Sequence, residues 1–354
     1  MIRKDIKILM DARCQMHYAA FYIEGILKVF GDNAVFSTEG FAGLESHARC
    51  FLFRVIENGK SHNIAIDFHD PRGIDKTVLL WSDLYAKINF HSQISMDLLL
   101  DNFGGNTSEM EQHKHKIQSI PPSFGIRVFG LFRTISHIFF ILRKQSIKTN
   151  KKVILDNLRM YLKRQPISKY FHAPFRQDYI FIMASIWHKS TAFVNLSRAF
   201  FIRACKANPK ITFEGGLVDI GYECDYIPDL NQLKAGNKKI KLAQYIKKTQ
   251  QSNFVFNTPS VEHCHGWKLG EYLCMGKAIV STPLSNDLPY PLEHGKHIHF
   301  VEDNPESIKQ AVDFLVENPK YVKMLEKGAL AYWKNYATPE KIIEMLVSKL
   351  IPIQ

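Results

Sequence analysis

The amino-acid sequence predicts an α/β protein with two doubly wound, parallel-sheet domains. Short apolar runs of strand length alternate with helix-length segments in both halves of the chain. The length of 354 residues suits two domains better than one. Hydrophobic residues make up 46% and charged residues 23%, which is typical of a globular protein and excludes a disordered or collagen-like chain.

The first half is predicted to open with a βαβ unit, followed by a hairpin and further strands. Asn58-Gly59 is a pair typical of a hairpin turn between two strands. The predicted elements are strand Ile6–Asp11, helix Tyr18–Phe30, and strands Ala34–Ser37, Cys50–Glu57, Asn63–Phe68, Thr77–Trp81 with its overlapping continuation Leu79–Asp83, and Lys116–Ile120.

The second half restarts the alternation after a boundary near residues 165–177. Three terminal helices each begin with Pro, which is tolerated in a first turn. The predicted elements are strand Tyr179–Ser185, helix Val194–Ala207, strand Lys210–Glu214, helix Leu242–Lys248, strand Asn253–Asn257, helix Lys268–Met275, strand Ala278–Ser281, and helices near Pro305–Val316, Pro319–Asn335 and Pro339–Leu350.

The charge balance indicates anionic partners. There are 46 Lys and Arg against 34 Asp and Glu, a formal net charge of +12. Phosphates, nucleic acid and acidic membrane surfaces are the partner classes that this excess favours. The six cysteines have no framework spacing, which indicates reduced thiols and a cytoplasmic protein.

A basic, apolar segment, Arg127–Lys144, has two interpretations that the sequence leaves open. It is a helix packed on the sheet with a solvated basic rim, or a basic amphipathic helix in peripheral contact with the inner face of an anionic membrane. Nucleic acid is not expected as a partner, because no RNP, KH, helix-turn-helix or finger pattern is present.

The stretch Phe254–Thr282 is the most informative part of the chain. A strand leads through a Pro-containing loop past Gly266 into a helix that carries Glu271, and Gly276 separates this helix from the next strand. Glycine lets the backbone approach a ligand, and the N–H groups of the following turn form an anion site. A carboxylate nearby can accept hydrogen bonds from two vicinal hydroxyls.

This stretch resembles the donor-binding signature of GT-B fold glycosyltransferases of the retaining group 1 type, E-x-F-G-x-x-x-x-E-A-x-x-x-G-x-P-V-V-x-[ST]. Gly266, Glu271 and Gly276 fall on the motif glycine, its second glutamate and the glycine after the short helix. The first motif glutamate falls on His263, with Glu262 adjacent. The family's later Gly-Gly falls near Asn286-Asp287.

The resemblance implies two Rossmann-like domains facing a cleft. Residues 1–168 would bind the acceptor, residues 169–338 would bind the nucleotide sugar, and residues 339–354 would form a helix crossing back to the first domain. It also implies that Glu271 binds the ribose hydroxyls and that Lys189 contacts the diphosphate. The residues predicted to bind the donor are Gly266, Trp267, Lys268, Leu269, Glu271, His263, His265, Lys189, Gly215 and Gly216.

The catalytic base is predicted at a strand end in the first half, where a carboxylate or histidine can stand beside the attacking hydroxyl. The candidates are His69, Asp70 and Asp83. No metal is expected: His263, Cys264, His265 and the histidines at 294, 297 and 299 lack a metal-ligand spacing. By resemblance, protein groups bind the diphosphate.

The sequence thus predicts a metal-independent hexosyl- or related glycosyltransferase without a cofactor. Its donor would be a nucleotide-diphosphate sugar, with UDP and GDP both open. Its acceptor would be a hydroxyl of a glycan or lipid-linked oligosaccharide in surface polysaccharide synthesis. Two alternatives stay open: a non-catalytic sugar-nucleotide-binding or scaffold relative, and a basic protein that docks on membrane or nucleic acid.

Overall fold

The structure, a computed structural model, describes residues 6–44, 49–144, 147–236 and 240–351. Residues 1–5 of the predicted first domain (1–168) and residues 352–354 of the predicted C-terminal segment (339–354) lie outside the described part. Helices and strands alternate along the chain, so the predicted α/β class is confirmed.

The chain divides into two compact units. Unit 1 contains the residues up to Ile167, the segment Asn286–Tyr290 and the C-terminal segment from Tyr336. Unit 2 contains Ser168–Ser285 and Pro291–Asn335. The acceptor-binding and nucleotide-sugar-binding roles of the two halves stay predictions.

Unit 1 is built on a six-stranded sheet. Its strands are β1 (Ile6–Asp11), β2 (Ala34–Ser37), β3 (Cys50–Glu57), β4 (Lys60–Asp67), β5 (Leu84–Lys87) and β6 (Ile117–Ser119). The strand order is β2-β1-β3-β4-β5-β6. The predicted hairpin at Asn58-Gly59 is confirmed, since β3 and β4 pair antiparallel and both turn residues have positive φ. β3 is also antiparallel to β1, while the other pairs are parallel, so this sheet is mixed rather than fully parallel.

Six helices of unit 1 precede residue 164. They are α1 (Met16–Phe30), α2 (Lys76–Trp81), α3 (Ile94–Asn102), α4 (Thr107–Lys114), α5 (Leu131–Lys144) and α6 (Ile147–Lys163). The predicted strand at Thr77–Trp81 and Leu79–Asp83 is wrong, because these residues form α2 and the turn after it. The side chain of Asp75 caps α2 by accepting a hydrogen bond from the Val78 N–H at 3.1 Å.

Unit 2 contains parallel strands only among its described residues. They are β7 (Tyr179–Ser185), β8 (Thr212–Val218), β9 (Phe254–Asn257), β10 (Ala278–Ser281) and β11 (His299–Phe300). β7 pairs with β8, and β10 pairs with β9 and β11. The Asn253 N–H also donates to the Tyr179 carbonyl at 2.8 Å, which places the start of β9 beside β7.

The strand predicted at Lys210–Glu214 ends later than expected, because β8 runs through Gly215 and Gly216. A Cβ added to Gly215 would lie 1.9 Å from the Ile182 carbonyl oxygen of β7, and one added to Gly216 would lie 2.3 Å from the Leu233 carbonyl oxygen. Both glycines have positive φ. Gly215 therefore permits the close approach of β8 to β7, and Gly216 permits the close approach of β8 to the backbone at the end of α8.

The helices of unit 2 lie close to the predicted positions, except for the short α8, which the sequence analysis did not predict. They are α7 (Ala192–Ala207), α8 (Leu230–Leu233), α9 (Leu242–Gln251), α10 (Trp267–Cys274), α11 (Pro305–Glu317) and α12 (Pro319–Tyr332), followed by a π-helical turn at Trp333–Ala337. The core of this unit brings α7 and α11 together with β7, β9 and β10 through buried apolar side chains. None of the helices among the described residues combines the length and the apolar character needed to cross a bilayer.

The C-terminal helix α13 (Pro339–Leu350) belongs to unit 1 and packs against α1. The contact requires a glycine, because a Cβ added to Gly25 of α1 would lie 2.3 Å from the Pro339 carbonyl oxygen. Lys28 of α1 also pairs with Glu340 at 2.7 Å. The segment thereby covers one side of α1.

We expect Gly25→Ala to destabilise unit 1 even though alanine is the better helix former. The added methyl group must displace the backbone of α13, and overpacking of this kind costs about 1–3 kcal/mol. The measurement is the midpoint of urea denaturation. Gly73→Ala is the control, since its Cβ would meet no heavy atom within 4 Å. Equal midpoints for the two variants would contradict the proposed contact.

Candidate functional site

A cavity of 170 Å³ in unit 2 lies at the carboxyl ends of β7 and β9. In open α/β sheets this is the edge at which ligands bind. Its lining comes from the ends of both strands, from α7 and from the start of α10: Ile182, Met183, Ala184, Ser185, Trp187, Arg198, Phe256, Asn257, Thr258, Ser260, Gly266, Trp267 and Lys268. The predicted donor residues Gly266, Trp267 and Lys268 therefore share one cavity.

The N-terminus of α10 forms one side of this cavity. Gly266 is the N-cap, and Trp267 and Lys268 are the first two helical residues. A helix N-terminus carries partial positive charge and favours an anion. The Leu269 N–H, predicted to face a donor, instead donates to the Gly266 carbonyl at 3.1 Å, and the Leu269 side chain is fully buried.

Two cationic side chains from different helices meet at the same cavity. Arg198 of α7 is 7% exposed and donates from Nη1 to the Ser185 carbonyl at 2.8 Å. The Lys268 ammonium donates to the Met183 carbonyl. Both therefore bond to carbonyls at the end of β7, and among the described residues neither forms an ion pair with a carboxylate.

Desolvation lowers the pKa of both cations. Burial lowers the pKa of Lys268 to about 7, with the positive charge of Arg198 as the next cause and the negative charge of Glu271 opposing it. Burial lowers the pKa of Arg198 to about 10. A site that destabilises its own cations in this way gains most from a bound anion, which would favour the charged forms.

Two lysines that are fully buried within the described part of the chain differ from Lys268. Lys87 pairs with Asp67 at 2.8 Å, and Lys277 pairs with Glu326 at 3.0 Å. Buried cations are ordinarily compensated by a carboxylate in this manner. Within the described residues the Lys268 ammonium has a carbonyl oxygen, and no carboxylate, as its hydrogen-bond acceptor, so no compensating negative charge lies at bonding distance there.

Glu271 lies in the second turn of α10 and is 7% exposed. Its Oε2 accepts a hydrogen bond from the Tyr245 hydroxyl at 3.2 Å. Burial, followed by the charges of Tyr272 and Glu271, raises the pKa of Tyr245. The carboxylate is therefore held inside the unit next to α9, and its contact with ribose hydroxyls stays a prediction.

The other predicted donor residues lie at different depths. His263 is exposed and stacks on Phe193 with 4.7 Å between ring centroids, whereas His265 is buried. Lys189 is exposed and pairs with the exposed Asp225 at 3.4 Å. Because the charge of Lys189 is already directed to a carboxylate in solvent, Arg198 and Lys268 are better placed to meet an anion in the cavity.

Arg198 was missed by the sequence analysis. The sequence shows Arg198 only as one arginine within the amphipathic helix predicted at Val194–Ala207, a pattern typical of a solvated charged position. Its burial becomes visible only in the folded structure. Lys268 was predicted for its backbone N–H, but its side chain supplies charge as well.

A second cavity, of 610 Å³, lies in unit 1 beside the carboxyl end of β4. It is lined by Gln15, Arg49, Cys50, Asp67, His69, Pro71, Gly73, Ile74, Asp75 and Lys152. The Asp67 carboxylate lines this cavity and also contacts the buried core. It accepts hydrogen bonds from the Tyr85 hydroxyl at 2.6 Å and from the Lys87 ammonium at 2.8 Å.

The three predicted base candidates do not lie together: His69 and Asp70 are at one end of the strands of the unit 1 sheet, and Asp83 is at the other end. His69 lines the unit 1 cavity, and its backbone N–H donates to Asp67 at 2.8 Å. Burial, followed by the charge of Arg49, lowers the pKa of His69, so the imidazole is a neutral proton acceptor at neutral pH. Asp70 follows it and is exposed.

The reason for choosing Asp83 was wrong, because no strand ends there. Asp83 precedes β5 and accepts a hydrogen bond from the Asn63 N–H at 2.8 Å. Since β4 and β5 are parallel, with Ile64 opposite Leu84 and Asp67 opposite Lys87, Asp83 lies toward the amino ends of these strands. His69 and Asp70 follow the carboxyl end of β4, so the structure does not bring Asp83 to them.

No group of three His, Cys, Asp or Glu side chains within residues 6–44, 49–144, 147–236 and 240–351 is arranged to hold a metal ion. Donor binding by protein groups alone stays a prediction.

No family model and no curated protein matches this sequence. Solved structures with a similar fold do exist. HepE from Anabaena, in complex with UDP-glucose, is 16% identical over 78% of this chain and 67% of its own, with a TM-score of 0.41. The C-terminal domain of a glycosyl transferase group 1 family protein, LpcC, from Francisella tularensis is 14% identical over 48% of this chain and 96% of its own, with a TM-score of 0.36.

A glycosyltransferase from Rickettsia africae is 12% identical, covers 79% of this chain and 69% of its own, and has a TM-score of 0.40. Two of these three proteins are described as glycosyltransferases.

We expect Asp67→Asn to destabilise unit 1 by about 3 kcal/mol or more, because it leaves Lys87 buried without a negative charge. The measurement is urea denaturation followed by circular dichroism. Asp225→Asn is the matched control: it breaks the exposed pair with Lys189, and such pairs contribute at most about 1 kcal/mol. Similar losses in the two variants would show that burial of the Asp67 pair does not set its contribution.

Proposed function

We propose that this protein is a glycosyltransferase whose nucleotide-diphosphate sugar binds unit 2, with the diphosphate at the end of β7. The observation that carries the proposal is the meeting of Arg198 and Lys268, without a carboxylate partner, beside the N-terminus of α10. A diphosphate supplies the negative charge that this cavity lacks, and phosphate oxygens accept hydrogen bonds from guanidinium and ammonium groups.

The same groups suit the chemistry of sugar transfer. When the bond between the sugar and the diphosphate breaks, negative charge grows on the leaving diphosphate. Arg198, Lys268 and the first N–H groups of α10 would stabilise that charge in a site with little water. The diphosphate would be held by protein groups, without a metal ion. UDP and GDP remain equal candidates for the nucleotide.

Glu271 is proposed as the partner of the ribose hydroxyls, as the motif resemblance implies. Its carboxylate follows Lys268 by one turn of α10, and the Tyr245 hydroxyl fixes one of its oxygens. An ionised carboxylate can accept further hydrogen bonds through its remaining lone pairs. Glu271→Gln should therefore weaken nucleotide binding less than loss of either cation.

The acceptor is proposed to be a hydroxyl of a glycan or a lipid-linked oligosaccharide in surface polysaccharide synthesis, with His69 as the base. A neutral imidazole can take the proton of an attacking hydroxyl, and the lowered pKa of His69 favours that state. The hydrogen bond from the His69 N–H to Asp67 fixes the backbone that carries the ring. Asp70 is the alternative.

We expect Arg198→Gln and Lys268→Gln each to weaken binding of UDP and GDP by about tenfold or more, since a lost hydrogen bond to a charged group costs about 1.5–3 kcal/mol. Calorimetric titration measures this effect, with Lys189→Gln as the surface control at less than about twofold. Circular dichroism checks that each variant is folded. A wild type that binds neither nucleotide, or cation variants that bind as well as the control, would contradict the proposal.

Turnover separates an enzyme from a non-catalytic binder. The wild type is expected to hydrolyse or transfer the sugar of at least one donor in a panel of UDP and GDP sugars. Binding that requires Arg198 and Lys268 but gives no turnover with a broad set of glycan and lipid-linked acceptors would favour the sugar-nucleotide-binding alternative.

We expect nucleotide binding to take up a proton at a pH of about 8. Lys268 is mostly neutral above its pKa of about 7, and a bound diphosphate favours the charged ammonium. Affinity should therefore fall as the pH rises above about 7, by at most tenfold per pH unit for one proton. Titration in buffers of different ionisation enthalpy measures the uptake, and Lys268→Met is the control that should lose it. Equal uptake in the two proteins would exclude Lys268 as the titrating group.

A further inference from the structure

Helices α5 and α6 of unit 1 expose an unusual amount of apolar surface. They contribute eight of the nineteen exposed large apolar side chains among the described residues. The three most exposed are Phe132 at 86%, Leu162 at 73% and Phe139 at 60%. The eight are Leu131, Phe132, Ile135, Phe139 and Leu142 on α5, and Leu155, Leu158 and Leu162 on α6.

Helical spacing gathers these side chains into one stripe on each helix. On α5 the exposed residues at 132, 135, 139 and 142 are three or four positions apart, and the same holds for 155, 158 and 162 on α6. The two helices contact each other. We call these side chains the α5/α6 apolar stripes.

The opposite faces of both helices are already packed on unit 1. On α5, His137 is buried against Phe36 and Phe129, with ring centroids 4.1 Å and 6.0 Å apart. Ile141 of α5 and Val153 of α6 are buried in one apolar cluster with Ala12. The stripes are therefore not needed for the core, and they present a second apolar surface to solvent.

The rim of the stripes is strongly basic. Exposed cationic side chains stand between and beside the apolar residues: Arg133, Arg143, Lys151, Lys152, Arg159 and Lys163. Asp156 is the one acid in the sequence from residue 131 to 163, and it is buried. The surface thus combines large apolar side chains with an excess of positive charge.

We propose that the α5/α6 apolar stripes and their basic rim dock on an anionic phospholipid bilayer. Amphipathic helices with these two features lie in the membrane interface, with the apolar side chains in the acyl boundary and the cations at the headgroups. This inference does not require the proposed sugar transfer: no residue of the unit 2 cavity takes part in it, and of the six rim residues only Lys152 also lines the unit 1 cavity.

Two other occupants fit the surface less well. A second copy of the same surface, related by a two-fold axis, would bring two basic rims together without compensating acids. Nucleic acid would engage the cations but would leave the leucine and isoleucine side chains in solvent, since base recognition relies on aromatic stacking and polar groups. An anionic bilayer compensates both the apolar and the charged parts.

The test is co-sedimentation of the full chain with vesicles of phosphatidylcholine alone and with vesicles containing about 30% phosphatidylglycerol. We expect binding to the anionic vesicles. Each basic side chain that contacts the headgroups should raise the partition coefficient by about fivefold, and high salt should weaken the binding. Phe132→Ser combined with Phe139→Ser and Leu162→Ser should reduce it by tenfold or more. The matched control combines Leu98→Ser, Phe314→Ser and Met324→Ser, which are exposed apolar positions elsewhere.

Three results would overturn the proposal: no binding of wild type to anionic vesicles, equal binding by the stripe variant and the control variant, or dimerisation of wild type that the stripe variant loses while vesicle binding stays unchanged. A second readout covers misfolding of the triple variant. In Phe132→Trp, tryptophan emission should shift to shorter wavelength with anionic vesicles only. A spectrum that anionic vesicles leave unchanged would count against insertion of α5.

Discussion

The binding of two cations by the carbonyls at the end of β7 is the interaction on which the unit 2 site depends. A carbonyl dipole offsets part of the desolvation of Lys268 and Arg198 but leaves their net charge uncompensated. The backbone around these carbonyls is fixed by the close approach of β8, which only Gly215 permits. The sheet therefore holds the Arg198 guanidinium and the Lys268 amine in place before any ligand arrives, which is the condition for electrostatic binding at little reorganisation cost.

Two desolvated cations without a carboxylate partner lower the free energy of unfolding of unit 2 when no anion is bound. Favourable packing in the rest of the unit has to offset this loss. The apolar cluster of β7, β9, β10, α7 and α11 lies directly behind the cavity. Lys87 and Lys277 avoid this cost, because each has a carboxylate at hydrogen-bond distance. Buried cations that lack a carboxylate partner are exceptions to this pairing, and proteins tolerate such exceptions mainly at functional sites.

Much of the fold could be predicted because local runs of apolar residues and the turn residues between them mark most of the strands and helices. The strands β1, β2, β3, β7 and β10 have the bounds that the sequence predicted. The failure at Thr77–Trp81 shows the limit: a short apolar run fits a strand or a buried helical turn equally, and the Asp75 cap decides between them. The predicted end of the strand at Glu214 was wrong for another reason. The need for glycine at 215 comes from β7, more than thirty residues earlier, and the need at 216 comes from the backbone of Leu233 and Ala235, later in the chain.

The site was predictable only where one segment carries it. Gly266 and Lys268 stand together in the sequence motif, so the start of α10 could be found. Arg198 joins them only after β7, α7 and β9 have been brought side by side, and nothing in its local sequence indicates burial. Lys189 was preferred because it follows the first strand of the domain, yet exposure lets it pair with Asp225. Burial decides which lysine carries usable charge: a solvated cation gains little from an anion, whereas a desolvated one with no carboxylate gains much.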